Sequence, residues 1–128
     1  MKVVVAMVLV FAAAGAVLLS SCAGGGPTLY QRLQDEDAKV RIAAVVEAGQ
    51  TKDRKALALL VERLNDSEKD VRLYAIIALE RITGQTLGYQ FYEPSEARER
   101  AVERWRQYVA KAATMPANPF TSAQRSAP

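Results

Sequence analysis

Apolar residues recur at helical spacing through the middle of the chain. Two stripes follow one another there, at Leu57, Leu60, Val61 and Leu64 and then at Val71, Ala75, Ala78, Leu79 and Ile82. Steps of three and four residues place each stripe on one face of a helix. A polar turn at 66–69 separates the stripes, Thr51 or Asp53 can cap the first helix, and Gly84 is a stop signal for the second. The pattern predicts a hairpin of two amphipathic helices.

The same pattern occurs once more, about thirty residues earlier in the chain. Residues 33–46 align with residues 64–77 without a gap, and the identical pairs are Leu33/Leu64, Asp35/Asp66, Val40/Val71, Arg41/Arg72 and Ala44/Ala75. In this first copy the pattern predicts a short opening helix over 27–33 and a second helix that buries Ala38, Ile42, Val45 and Gly49. Repeated hairpins are expected to stack, because one hairpin cannot bury its apolar face alone.

A longer loop and one final helix follow the second hairpin. The loop spans 85–94 and contains Tyr89, Phe91 and Tyr92. Ser95 is the predicted N-cap of a helix that runs to about residue 113, with Ala97, Ala101, Trp105, Tyr108 and Ala112 on one side. Residues 114–128 are rich in proline and small polar residues and have no apolar period, so they are predicted to be a disordered tail.

Both copies fit the spacing Leu-x-Asp-x-(Asp/Glu)-x-x-Val-Arg-x-x-Ala, which resembles the short bacterial HEAT-like repeats found in phycobilin lyases. The resemblance covers residues 28–83. It implies an all-α fold, a short α-solenoid of about two HEAT-like helical hairpins with a C-terminal capping helix, together spanning 28–113. In that family the Asp and Arg of the motif bond from one repeat to the next. By match, this structural ladder consists of Asp35, Arg41, Asp66 and Arg72.

The N-terminus has the form of an export signal. Lys2 precedes an apolar run over 3–19, which is short for a membrane span of about 20 residues, and Ser20-Ser21-Cys22 follows. This ending resembles the bacterial lipobox, which implies a signal peptide over 1–21, acyl chains such as palmitate on Cys22, and a tether over 22–27. Ala23 after the cysteine favours the outer membrane, with the domain facing the periplasm. An uncleaved membrane anchor, or a secreted protein cut near Ala23, remains open.

Composition excludes most catalytic chemistry. The chain has no His and one Cys, so it lacks the commonest general base and zinc ligand, and lipidation would consume the only thiol. The acidic turns lack the Gly of a calcium-binding loop and are interpreted as caps and ion pairs. The net charge of +3, which loss of Lys2 would lower by one, is too small for a nucleic-acid footprint. We expect no catalysis, metal, cofactor, nucleic acid or small-molecule substrate.

The leading hypothesis is therefore a lipid-anchored adaptor or scaffold that binds an envelope protein. Its expected contact surface is the groove lined by the second helices, 38–48 and 70–82, with the loop 87–92 at one end. In that loop Tyr89, Phe91 and Tyr92 are the candidate partner-binding residues, unless they pack over the last repeat. The alternatives are a structural lipoprotein, whose tail or Arg-rich final helix contacts the membrane or cell wall, and a lyase-like enzyme.

Overall fold

The computed structural model of this chain describes residues 25–115, and the regular structure in that part is helical throughout. The elements are α1 (Leu29–Arg32), α2 (Ala38–Thr51), a 3-10 turn (Arg54–Ala56), α3 (Leu57–Arg63), α4 (Lys69–Thr83) and α5 (Ser95–Thr114). No helix among these residues is long and apolar enough to cross a membrane. The predicted signal peptide, Cys22 and the tail beyond Met115 lie outside the described residues.

Caps define the ends of the first hairpin and the start of the second. Thr28 and Gln31 form a reciprocal capping box at α1, and the Asp37 carboxylate accepts a bond from the Lys39 N–H at the start of α2. Asp53 caps the 3-10 turn in the same way, as one of the two predicted alternatives. These short polar side chains satisfy backbone N–H groups that have no partner inside a helix.

The second hairpin ends as the sequence predicts, but the final helix begins differently. Gly84 closes α4 with a left-handed φ of 74°, a conformation that glycine adopts without steric cost. The prediction of Ser95 as an N-cap is wrong, because Pro94 occupies the cap position and Ser95 is the first helical residue. Proline suits the start of a helix, since its missing N–H would have had no partner there.

The buried core confirms the predicted apolar stripes of α3 and α4, but the buried face of α2 differs from the predicted one. All nine residues of the α3 and α4 stripes are buried, while in α2 Val45 and Gly49 are buried and Ala38 and Ile42 only partly. The buried face of α2 is instead Arg41, Ala44, Val45, Ala48 and Gly49. The predicted stripe for α2 was drawn from its apolar residues alone and left out Arg41, which the repeat motif had assigned to the ladder. Its guanidinium reaches Asp66 of the neighbouring hairpin, so Arg41 belongs to the buried face.

The two hairpins stack with α2 parallel to α4. Arg41 in the first turn of α2 bonds Asp66 just before α4, and Gly49 near the end of α2 lies against Ala78. A Cβ atom at residue 49 would lie 3.0 Å from both the Cα and the Cβ of Ala78. The backbones therefore approach so closely that a side chain at residue 49 would require α4 to shift by a few tenths of an ångström.

The capping helix α5 closes the stack in the direction opposite to α3. Arg106 contacts Glu62 near the end of α3, whereas Val109 and Ala112 lie beside Leu57 at its start. Trp105 is fully buried and, with Ala101 and Val102, joins α5 to the core. The predicted short α-solenoid with a C-terminal capping helix is therefore confirmed.

The loop 85–94 connects the end of α4 to the start of α5 and packs along α5. The Thr86 carbonyl accepts a hydrogen bond from Trp105 Nε1 at 3.2 Å, and the Leu87 carbonyl accepts one from Arg104 Nε at 2.9 Å. Arg98 donates to the Glu93 carbonyl at 2.6 Å. Side chains of α5 thus bond three carbonyl groups of the loop and hold it against this helix.

A buried ion pair joins the two repeats. Arg41 donates from Nε and Nη2 to the two carboxylate oxygens of Asp66, at 2.9 and 2.8 Å, and the Asp66 side chain is only 2% exposed. The third nitrogen, Nη1, donates to the carbonyls of Asp35 and Glu36 at 2.8 Å each. Burial raises the pKa of Asp66, but bonds from Arg41 and from the Glu68 N–H lower it by more, so that the pKa lies below its ordinary value.

Of the predicted Asp–Arg ladder, only the pair Arg41–Asp66 joins one repeat to the next among residues 25–115. Arg72 repeats the carbonyl contacts of Arg41, donating to Asp66 and Ser67 at 2.8 and 3.0 Å, but its Nε meets the Phe91 carbonyl at 3.2 Å instead of a carboxylate. At the other end the Asp35 carboxylate accepts from the Asp37 N–H at 2.9 Å and has no arginine partner among residues 25–115. One charged contact therefore sets the register between the hairpins.

We predict that Asp66→Ala destabilises the protein much more than Asp35→Ala. Loss of Asp66 leaves the buried Arg41 charge unpaired, which costs about 3–5 kcal/mol. Loss of Asp35 removes only a turn contact, worth about 1 kcal/mol. Urea unfolding followed by circular dichroism measures both. Asp66→Asn, which keeps the side-chain volume, provides the comparison if the alanine variant does not fold, and equal losses at the two aspartates would contradict the ladder.

Candidate functional site

The second helices of the two hairpins form a shallow groove on one face of the stack. From α2 and α4 its lining residues are Val46, Gly49, Gln50, Tyr74, Ile77, Ala78 and Arg81. The enclosed volume is about 200 Å³, below the roughly 300–1,000 Å³ of most small-molecule pockets. A groove of this size suits one or two side chains of a protein partner better than a metabolite.

The sequence builds this groove from a close helix contact. Because Gly49 lets the α2 backbone approach Ala78, the floor is narrow and apolar. Val46 and Ile77 stand on either side and are half-buried. The groove was predicted between the second helices over 38–48 and 70–82. In the structure its floor is the Gly49–Ala78 contact, so Gly49 and the rim residue Gln50 lie just beyond the first predicted range.

The rim of the groove carries an exposed aromatic ring and polar groups. Tyr74 is 40% exposed, and Gln50 and Arg81 are also exposed beside it. An apolar floor with a tyrosine and an arginine at its edge has the composition of a protein-binding patch.

Comparison with known proteins identifies the architecture. The family model of HEAT repeats matches residues 26–113. The chain belongs to the HEAT repeat family. No curated protein and no solved structure matches the chain. In this HEAT-repeat chain the groove lies between the second helices of consecutive repeats, α2 and α4.

The loop aromatics of the HEAT-repeat domain have three different environments. Tyr89 is buried, and its hydroxyl donates a hydrogen bond to the Leu64 carbonyl, so the structure removes it from the candidate partner-binding surface. Phe91 is half-buried, with the Lys69 ammonium 5.5 Å from its ring centre. Tyr92 is 61% exposed and meets Phe91 edge to face at 5.3 Å. A partner-binding role remains a prediction for Phe91 and Tyr92 alone.

Tyr74 is the groove residue that sequence analysis did not single out. It lies within the predicted range 70–82, but its place in the repeat is occupied by Ala43 in the first copy. The replacement of alanine by a large aromatic residue at an exposed repeat position could have indicated its role from the sequence. Comparison of the two copies by their differences, as well as by their identities, would have found it.

The acidic turns of the two repeats serve the fold. Asp35, Asp37 and Asp66 accept bonds from backbone N–H groups two residues further on, and Asp66 also holds Arg41. Within residues 25–115 no group of three or more His, Cys, Asp or Glu side chains is arranged to hold a metal ion.

We predict that Tyr89→Phe lowers stability at neutral pH and that the difference shrinks in alkali. Burial raises the pKa of Tyr89 to about 12, although Arg98 and Arg72 oppose this shift. The stabilisation from the neutral hydroxyl is complete below the ordinary pKa of 10.0 and is lost as pH rises towards 12. At pH 7 the variant loses about 1–2 kcal/mol, because the buried Leu64 carbonyl has no donor.

Urea midpoints of the two proteins at pH 7 and at pH 11 measure this effect. Tyr92→Phe is the matched control, since its side chain is exposed and its midpoint should equal that of the unmodified protein at both values. A difference for Tyr89→Phe that does not change with pH would contradict the role of burial.

Proposed function

We propose that this protein is a lipid-anchored HEAT-repeat lipoprotein that binds a protein partner at the bacterial cell envelope, as an adaptor or scaffold. HEAT repeats commonly mediate contacts between proteins, and the family membership supports this class of function. The proposal assigns the domain no chemistry of its own, in keeping with a chain that contains no histidine.

The observation that carries the proposal is the α2–α4 groove with Tyr74 at its rim. Tyrosine and arginine are enriched among the residues that dominate binding energy at protein interfaces. Here Tyr74 and Arg81 flank an apolar floor held by the backbone contact between Gly49 and Ala78. Since this floor is fixed by the stacking of the repeats, the groove is preformed and costs little ordering on binding.

The anchor is supported by the sequence of the first 22 residues. The apolar run, the small residues Ser20 and Ser21, and the lone Cys22 fit a lipoprotein signal. Acyl chains on Cys22 would hold the domain at the membrane surface, facing the periplasm, with the outer membrane favoured by Ala23. Two or more chains give stable anchoring where one is marginal.

Capture of the partner from cells tests the groove. We expect a chain tagged after Pro128 to retain one dominant envelope protein after in-cell crosslinking, as identified by mass spectrometry. Tyr74→Ser combined with Ile77→Ser should lose that protein, because the rim and wall of the groove become small and polar. Tyr92→Ser is the comparison variant: it removes the exposed tyrosine of the loop, the other predicted contact, and should keep the protein if the groove alone binds it.

Two results would contradict the groove as the binding site. Retention of the same protein by the groove variant and its loss in the Tyr92→Ser control would move the site to the loop. Recovery of lipid or cell-wall fragments alone, unchanged in all variants, would favour a structural lipoprotein. Each variant is first checked by its urea midpoint, so that a loss of binding is not a loss of folding.

The anchor is tested by Cys22→Ser. We expect the unmodified chain to fractionate with membranes at the mass of the processed, acylated protein, and the variant to lose the acyl mass and the processing. A variant that remains in the membrane fraction at its full unprocessed mass would show that the apolar run is an uncleaved anchor.

A further inference from the structure

The helix directions divide the stack into two edges of opposite character. The turn edge holds the turn before α2, the turn before α4 and the start of α5. The tether edge is the opposite one, where the chain emerges at residues 25–28. Tyr30 in α1 donates to the Asp53 carboxylate at 2.9 Å, which places the start of α1 beside the turn between α2 and α3. The end of α5 reaches the same edge, because Val109 and Ala112 lie beside Arg54 and Leu57.

Basic residues gather on the tether edge and acidic residues on the turn edge. The tether edge carries Lys52, Arg54, Lys55, Arg81 and Lys111, and its acids are Asp53 and Glu80. Asp53 is already engaged, since it caps the 3-10 turn and accepts from Tyr30. The turn edge carries the acids Asp35, Glu36, Asp37, Asp66, Glu68, Asp70, Glu93 and Glu96 and the cations Lys39, Arg41, Arg63, Lys69, Arg72 and Arg98, so its acids exceed its cations only slightly. The domain therefore has a charge gradient along its helix axes.

The tether edge also exposes apolar surface. A trough of about 260 Å³ lies between the start of α3 and the end of α5, lined by Arg54, Lys55, Leu57, Ala58, Val109, Ala112 and Ala113. Met115 follows at the end of α5 and is 74% exposed. Cations around a shallow apolar surface are the composition of segments that lie at the boundary between headgroups and acyl chains.

We propose that the tether edge of the domain rests on the anionic headgroups of the membrane that carries the anchor. This rests on the proposed lipid anchor at Cys22. From Cys22 to Pro27 the chain can extend at most about 18 Å, so the edge from which it emerges is held near the bilayer. That edge is the basic one, and its charge complements an anionic lipid surface.

In this orientation the protein-binding groove opens on the side of the stack. The α2–α4 groove lies in the half of the two helices that is nearer the tether edge, and it shares Arg81 with that edge. The acidic turn edge points away from the membrane. One domain can thus bind lipid headgroups at one edge and a protein on its side.

The reactivity of the lysine side chains tests this orientation without any amino-acid substitution. The mature chain, residues 22–128, is coupled through Cys22 to a maleimide lipid on the outer surface of vesicles, and the rate of lysine acetylation by a charged reagent is measured by mass spectrometry. Lys52, Lys55 and Lys111 lie on the tether edge, and Lys39 and Lys69 on the turn edge; all five are exposed. We expect the first three to react about fivefold more slowly on vesicles with one third phosphatidylglycerol than in solution, and the other two to be unchanged.

Controls separate charge from mere attachment. On vesicles of phosphatidylcholine alone, and at about 0.5 M salt, the protection should disappear, because the attraction is absent or screened. Arg54→Ser should weaken the protection, whereas Arg100→Ser, the matched change on the exposed surface of α5, should not.

Equal protection of all five lysines, slower reaction of Lys39 and Lys69, or no protection on anionic vesicles would overturn the proposal. Protection that persists on neutral vesicles would overturn the electrostatic cause. Because the lipid is attached chemically, these outcomes do not depend on acylation of Cys22 in cells. They also leave the groove untouched, so failure here is distinct from failure of the adaptor function.

Discussion

The contact between Arg41 and Asp66 is the constraint on which the rest of the structure depends. Two hairpins of this size bury too little apolar surface to fold separately, and their stacking is the core. A bidentate pair that is almost fully buried tolerates only one geometry. It joins the start of α2 to the start of α4, and further along the same two helices Gly49 lies against Ala78. This charged interaction fixes the register in which the helices form their contact and the groove, and it adds more to specificity than to net stability.

The two ends of the stack are closed by different means. Beyond the second repeat, the Phe91 carbonyl occupies the place of the next carboxylate at Arg72, and the buried Trp105 anchors α5 over the hairpin. At the first repeat an ion pair between Arg32 and Glu47, at 2.7 Å, joins α1 to α2. The loop and α5 thus occupy the position that a further repeat would have in a longer array.

The repeats were predictable because the same spacing of residues occurs twice in the sequence. The stripes of α3 and α4 and the stop at Gly84 follow from local chemistry, and all of them are found. The face of α2 was mispredicted because burial of Arg41 depends on Asp66, which lies 25 residues away in sequence. The position of Tyr89 could not be predicted either, since it depends on how the loop 85–94 returns along α5. Long-range partners, which periodicity does not encode, account for both failures.

The position of the groove was predictable from the repeat pattern, whereas its key aromatic was not. Repeat logic places the second helices side by side, and so it predicts a groove between them. It does not tell which departure from the repeat is functional, and Tyr74 is such a departure. In a stack of two repeats the surface available for binding is short, which makes one exposed ring a large part of it.

We predict that the groove between α2 and α4 contacts a protein in the cell, and site-specific photo-crosslinking tests this most directly. A photoreactive residue replaces Gln50 at the groove rim, or Gln107 on the exposed face of α5; both glutamines are exposed. The predicted result is one discrete protein adduct from position 50 and none from position 107. The same adducts from both positions, or none from position 50, would contradict the groove as the site of partner binding.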